Sequence, residues 1–217
     1  MRVRLVGIAW LGAALLVSIP VHGQVSSPYS ASTLRPGSVG TAATVGFPYL
    51  SVQGTVGITR SFDLSLQARS AWSSVQRLGL GARYRLSGEG PSGFALRGLV
   101  DGWFSRPANT QWMDLTGEQD FTGDLQLLYS WSTTSNGILT IHTGLQLVGN
   151  RFARRPPLGG ARPFLTIGSN AVLGLTAEVP HSSGVIFSVT LGGDIHLTGF
   201  DDGSVMPLFG LGLGYVL

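Results

Sequence analysis

The sequence predicts an all-β chain closed into an antiparallel transmembrane β-barrel, with ten strands. Three observations predict it. Side chains alternate with a period of two through most of the chain. Leu78, Leu80, Ala82, Tyr84 and Leu86 fall on one face, while Gly79, Gly81, Arg83 and Arg85 fall on the other. Such alternation is the signature of a strand with two unlike faces. Composition is the second observation: 12% of the 217 residues are charged and 32 are Gly, against about 25% charged and about 7% Gly in soluble domains. The third is the character of the less apolar face. It carries Gly, Ser, Thr and Gln with isolated charges, which suits the crowded interior of a narrow barrel better than a surface bathed in water.

The strands are expected over about 37–45, 50–59, 64–73, 77–86, 93–105, 121–132, 138–149, 163–179, 184–196 and 205–217. Leu64, Leu66, Ala68 and Trp72 mark the apolar face of the third. The runs Phe121–Trp131 and Leu139–Leu147 repeat the scheme in the sixth and seventh. Turn-forming clusters separate them: Arg60-Ser-Phe-Asp63, Ser87-Gly-Glu-Gly-Pro-Ser92, Thr133-Thr-Ser-Asn-Gly137 and Pro180-His-Ser-Ser-Gly184. On the other side lie longer connections, chiefly Arg106–Asp120 and Asn150–Arg162. The eighth run is long enough to contain a bend, so splitting or dropping a strand would give twelve or eight, the neighbouring even counts.

The first residues read as an export signal. Arg2 and Arg4 precede an apolar run from Leu5 to Ile19, and Val21-His22-Gly23 offers a cleavage site before Gln24. The organisation expected is a signal peptide over 1–23, a periplasmic lead segment over 24–36 and the barrel over 37–217. After residue 25 no apolar run is long enough for a membrane helix. The chain has no Cys, which excludes a disulfide scaffold, a thiolate metal site and a thiol nucleophile. All 14 basic residues are Arg, and without Arg2 and Arg4 the balance is 12 − 11 = +1. No nucleic-acid partner is expected from that excess. The cluster Arg151, Arg154 and Arg155 beside Pro156 and Pro157 reads as a solvated loop.

The charges on the less apolar face are Arg69, Arg83, Arg85, Arg97, Asp101, Asp124, Glu178 and Asp194. Four bases meet four acids, and a buried charge needs a partner, so they are expected to form a lumenal salt-bridge network. On the opposite face aromatic residues gather near strand ends: Trp72, Phe104 and Phe121 toward the longer connections, and Tyr84, Phe94, Tyr129, Trp131 and Phe187 toward the tight turns. Two aromatic rows around an aliphatic band are the girdles of a membrane barrel.

The last segment carries the most specific motif. Phe209, Leu211, Leu213, Tyr215 and Leu217 place an apolar residue at every second position back from the end. With this strand, the chain resembles the Gram-negative outer-membrane β-barrel proteins, although the final residue is Leu where that family usually has an aromatic. The resemblance implies residence in the cell outer membrane, contact with its lipid and lipopolysaccharide, and recognition of the last strand by the barrel-insertion machinery. A monomer is expected.

A structural or narrow-pore barrel without an enzymatic site is the expected function. Passive transport or adhesion through the long loops is one alternative. Another is a surface protease, because Asp194-Ile-His196 resembles the Asp–His couple of omptin proteases, where a carboxylate orients an imidazole. The nearest second acidic pair is Asp201-Asp202, in the adjacent loop. A lipid A deacylase would want Ser two residues beyond a His on the lipid face. His142 is lumenal and followed by Thr143-Gly144, and His181-Ser182-Ser183 lies in a turn. No cofactor and no metal are expected, since no two His stand at ligand spacing on one strand and the Gly-x-Gly runs alternate within strands instead of opening a helix.

Overall fold

A computed structural model describes residues 29–217 apart from 48, 71–75, 89, 106–118, 134–135, 153–163, 182 and 199–204. The expected signal peptide, the Trp72 aromatic, the cores of both long loops and Asp201-Asp202 therefore lie outside the described residues.

Ten strands form one closed antiparallel barrel: β1 (Val39–Phe47), β2 (Leu50–Thr59), β3 (Phe62–Ser70), β4 (Gln76–Ser87), β5 (Gly93–Ser105), β6 (Gln119–Ser132), β7 (Ile138–Phe152), β8 (Phe164–Pro180), β9 (Val185–Thr198) and β10 (Val205–Val216). Each pairs with its sequence neighbours, and β10 closes on β1. The closing seam runs from Gly40 opposite Val216 to Phe47 opposite Phe209, and it ends where the Leu217 amide donates to the Val39 carbonyl at 2.8 Å. Ring closure leaves no strand edge unpaired. The eighth strand is continuous over 17 residues and does not bend into two.

The alternation sets the two surfaces. Outward positions are apolar and exposed: Leu80 is 70% exposed, Val179 60% and Phe187 56%. Inward positions are polar or small and buried, as with Asp124, Gln126 and Ser130 on β6 and Asn170, Thr176 and Glu178 on β8. The distribution is inverted relative to a water-soluble protein.

Tight turns close one end of the barrel. In the β6–β7 turn the Thr133 amide donates to the Gly137 carbonyl at 2.8 Å, with Asn136 at φ 62°, a conformation Asn tolerates better than most side chains. The β2–β3 turn differs from the reading of Arg60–Asp63 as a loop. Phe62 and Asp63 already belong to β3, paired with Tyr84 and Arg83. The strand starts early because Asp63 turns inward to an ion pair with Arg83.

Candidate functional site: a lumenal cup floored by the N-terminal segment

The expectation of a lead segment standing before the barrel on the periplasmic side is corrected for residues 30–34. Ser30, Ala31, Ser32, Thr33 and Leu34 are all buried, and the side chains they meet point into the lumen. The Ala31 amide donates to Ser130 Oγ at 2.7 Å. The Leu34 amide donates to both Asp63 carboxylate oxygens, at 3.0 and 3.2 Å. Arg83 Nη1 donates to the Ser30 carbonyl at 2.7 Å, and Thr33 Oγ1 donates to the Arg60 carbonyl at 2.7 Å. Ala31 also packs with Ala95 and Leu128 in a small apolar cluster.

The physical reason is backbone satisfaction. A chain packed inside the barrel must find partners for its amides and carbonyls, and inward Asp63, Arg83 and Ser130 supply them. Two small residues make the room. A Cβ on Gly57 would collide with the Arg35 carbonyl, and one on Gly40 would meet Leu34 Cδ1 at 3.3 Å. The segment joins β1 at the end of the barrel where β10 finishes, with the Gly37 amide donating to the Gly57 carbonyl at 2.8 Å.

The eight expected lumenal charges all belong to inward positions, and the structure pairs some of them differently. Arg69 bonds Asp101 and stands 3.8 Å from Asp124. Arg83 pairs with Asp63 on the neighbouring strand, Nε to Oδ2 at 3.1 Å. Arg85 donates to the carbonyls of Gly90 and Ser92, at 3.0 and 3.2 Å, and so ties the β4–β5 turn. Arg97 donates to Gln126 Oε1 at 2.5 Å. Glu178 is buried deep among the inward side chains. Asp194 is 5% exposed, and its Oδ1 has no hydrogen-bond partner among the described residues.

Asp63 and Arg77 are lumenal charges that sequence reasoning missed. Arg77 lies 3.3 Å from Asp101 Oδ1, which also accepts from Thr122 Oγ1 at 2.7 Å. Period-two counting back from Leu78 does place Arg77 inward, so the signal was present at the strand edge. For Asp63 the turn-like composition of Arg60–Asp63 masked it.

Above the inserted segment the lumen holds a cup of about 210 Å³. Tyr29 forms part of its floor, its hydroxyl bonded to Thr44. Arg69, Arg77, Arg97, Asp124 and Asp194 stand in its walls. His142 also lines it. Its ring lies over Gly174, where any Cβ would collide with it, and its Nε2 is 3.5 Å from Thr176 Oγ1.

Asp194 and His196 share the inward face of β9, but His196 Nδ1 is 2.9 Å from Asn170 Oδ1, and Asn170 Nδ2 donates to Gln146 Oε1 at 3.0 Å. The imidazole is thus oriented by an amide relay across β8 and β7. Among the described residues no group of three or more His, Asp or Glu could hold a metal ion.

No protein-family model and no curated protein sequence matches the chain. Among solved structures, the chain is similar to the N-terminal β-barrel domain of Pseudomonas aeruginosa OprF. The two are 12% identical, the match covers 83% of this chain and 96% of that one, and the TM-score is 0.36.

Proposed function

We propose that the protein is an integral outer-membrane β-barrel, structural or narrow-pored and without an enzymatic site, whose lumen is closed at the terminal end by its own N-terminal segment. One observation carries this reading: the apolar band on the outside of the closed ring. The largest apolar patch on a soluble monomer is about 300–600 Å². Here exposed Leu, Val, Ile and aromatic side chains recur on every strand. Water would penalise that surface and hydrocarbon would not. A closed barrel is also one of the two architectures that satisfy all backbone groups inside lipid.

Aromatic placement supports the same reading. Phe94 stacks on Tyr129 with ring centroids 4.6 Å apart, and Tyr129 on Trp131 at 5.5 Å. Tyr84 and Phe187 stand exposed near the same turns, where an interfacial girdle would sit. Export through a cleaved signal, contact with lipopolysaccharide and delivery by the insertion machinery through β10 belong to the proposal. The hydrogen bond of His196 to Asn170 in place of Asp194 supports leaving a protease couple out of it.

The test is fractionation of expressing cells. The protein should stay with membranes through alkaline extraction and show a folded band in unheated gels that shifts on boiling. A detergent-free, monomeric soluble protein would overturn the proposal.

A further inference from the structure

Most charges of the lumen are accounted for locally. Asp101 takes Arg69 and Arg77, Asp63 takes Arg83, and Arg85 takes two turn carbonyls. Two opposite charges in the cup are not neutralised in this way. The Arg97 guanidinium has Gln126 as its hydrogen-bonded partner and makes no ion pair with the described residues. The Asp194 carboxylate is about nineteen-twentieths buried, lines the cup, and keeps Oδ1 without a hydrogen bond. A buried carboxylate oxygen without a hydrogen bond is costly, and a guanidinium held by a neutral amide can still take an ion pair from a molecule in the cup.

Their placement is specific. Arg97 on β5 pairs in register with Gln126, Gln126 with Gly144, Gly144 with Val172, and Val172 with Asp194 on β9. They therefore end one cross-strand row, four strands apart in a ring of ten, and reach the cup from facing walls. Gln126 and Val172 of that row also line the cup. Asp124 adds a second carboxylate oxygen without a hydrogen bond in the same cup.

We propose that the cup binds a small zwitterionic solute of the ω-amino acid type, its carboxylate on Arg97 and its ammonium on Asp194. A single charged end would neutralise one wall and leave the other stranded. A solute carrying both charges satisfies both, and a volume of about 210 Å³ holds a molecule of amino-acid size. The site does not depend on the membrane reading, because the cup lies inside the ring whatever surrounds it.

The experiment uses the full mature chain folded in detergent micelles. Its probes are unbranched amino acids from glycine to 6-aminohexanoate, with propylamine and propionate as singly charged controls, read by calorimetric titration and by thermal shift. One or two chain lengths should bind at least tenfold more tightly than either control. Asp194→Asn and Arg97→Gln should each abolish that preference while keeping the boiling-dependent gel shift that reports a folded barrel. The proposal fails if no member of the series binds, if propylamine or propionate binds as well as the best zwitterion, or if both folded variants bind like the wild type. Loss of the folded band in all samples would instead count against the membrane-barrel reading.

Discussion

Arg83 does two jobs at once. It neutralises Asp63 and holds the Ser30 carbonyl, while Asp63 holds the Leu34 amide. Truncation by Arg83→Ala strands a buried carboxylate, so unfolding from micelles should show a loss of about 3–5 kcal/mol. Removing both charges, with Arg83→Met and Asp63→Leu together, should cost less than the sum of the single changes. The expected non-additivity is roughly 0.5–3 kcal/mol. Additive losses in that cycle would mean that the two residues act separately. Period-two counting made Arg83 legible as lumenal, because it sits mid-strand between Ala82 and Tyr84. Its partner was not legible. Counting faces says which way a side chain points, but says nothing of which acid lies beside it until the register of β3 on β4 is known.

The inserted segment is the element least visible in the sequence. The strands announce themselves because the outer surface and the lumen impose opposite demands on alternate residues, and the ten expected runs agree with β1–β10 to within about three residues. Ser30–Leu34 is held by hydrogen bonds to groups distant in sequence, and such contacts leave no periodicity. Replacing residues 30–34 with a Gly-Ser stretch of equal length removes the Leu34 and Ala31 packing and loosens the backbone hydrogen bonds to Asp63, Arg83 and Ser130. We expect the strand content by circular dichroism to persist, with conductance in planar bilayers rising above that of the wild type. Unchanged conductance with the substituted segment would show that these residues do not close the lumen. At the other end of the chain, Tyr215 pairs with both Thr41 and Val185, and Leu217 closes the seam with Val39. Deleting residues 215–217 should therefore lower the yield of folded, membrane-inserted protein several-fold in quantitative blots. Full yield would make the last turn of the seam dispensable.

For the whole molecule the decisive property is that the closed ring carries its apolar residues on the outside. The sequence carried that property because low charge, abundant Gly and alternation all follow from an inverted barrel. The occupant of the lumen did not show there, since it depends on where the N-terminal residues pack. Spin labels placed one at a time at residues 187–191 of β9 measure the surface directly, by the relative effect of oxygen, which concentrates in lipid, and of a water-soluble nickel complex. Phe187, Val189 and Leu191 point outward and Ser188 and Thr190 inward. In reconstituted vesicles, oxygen should dominate at the three outward positions and fall at the two between them. Outward positions that respond mainly to the nickel complex would contradict a lipid-facing band and with it the membrane barrel.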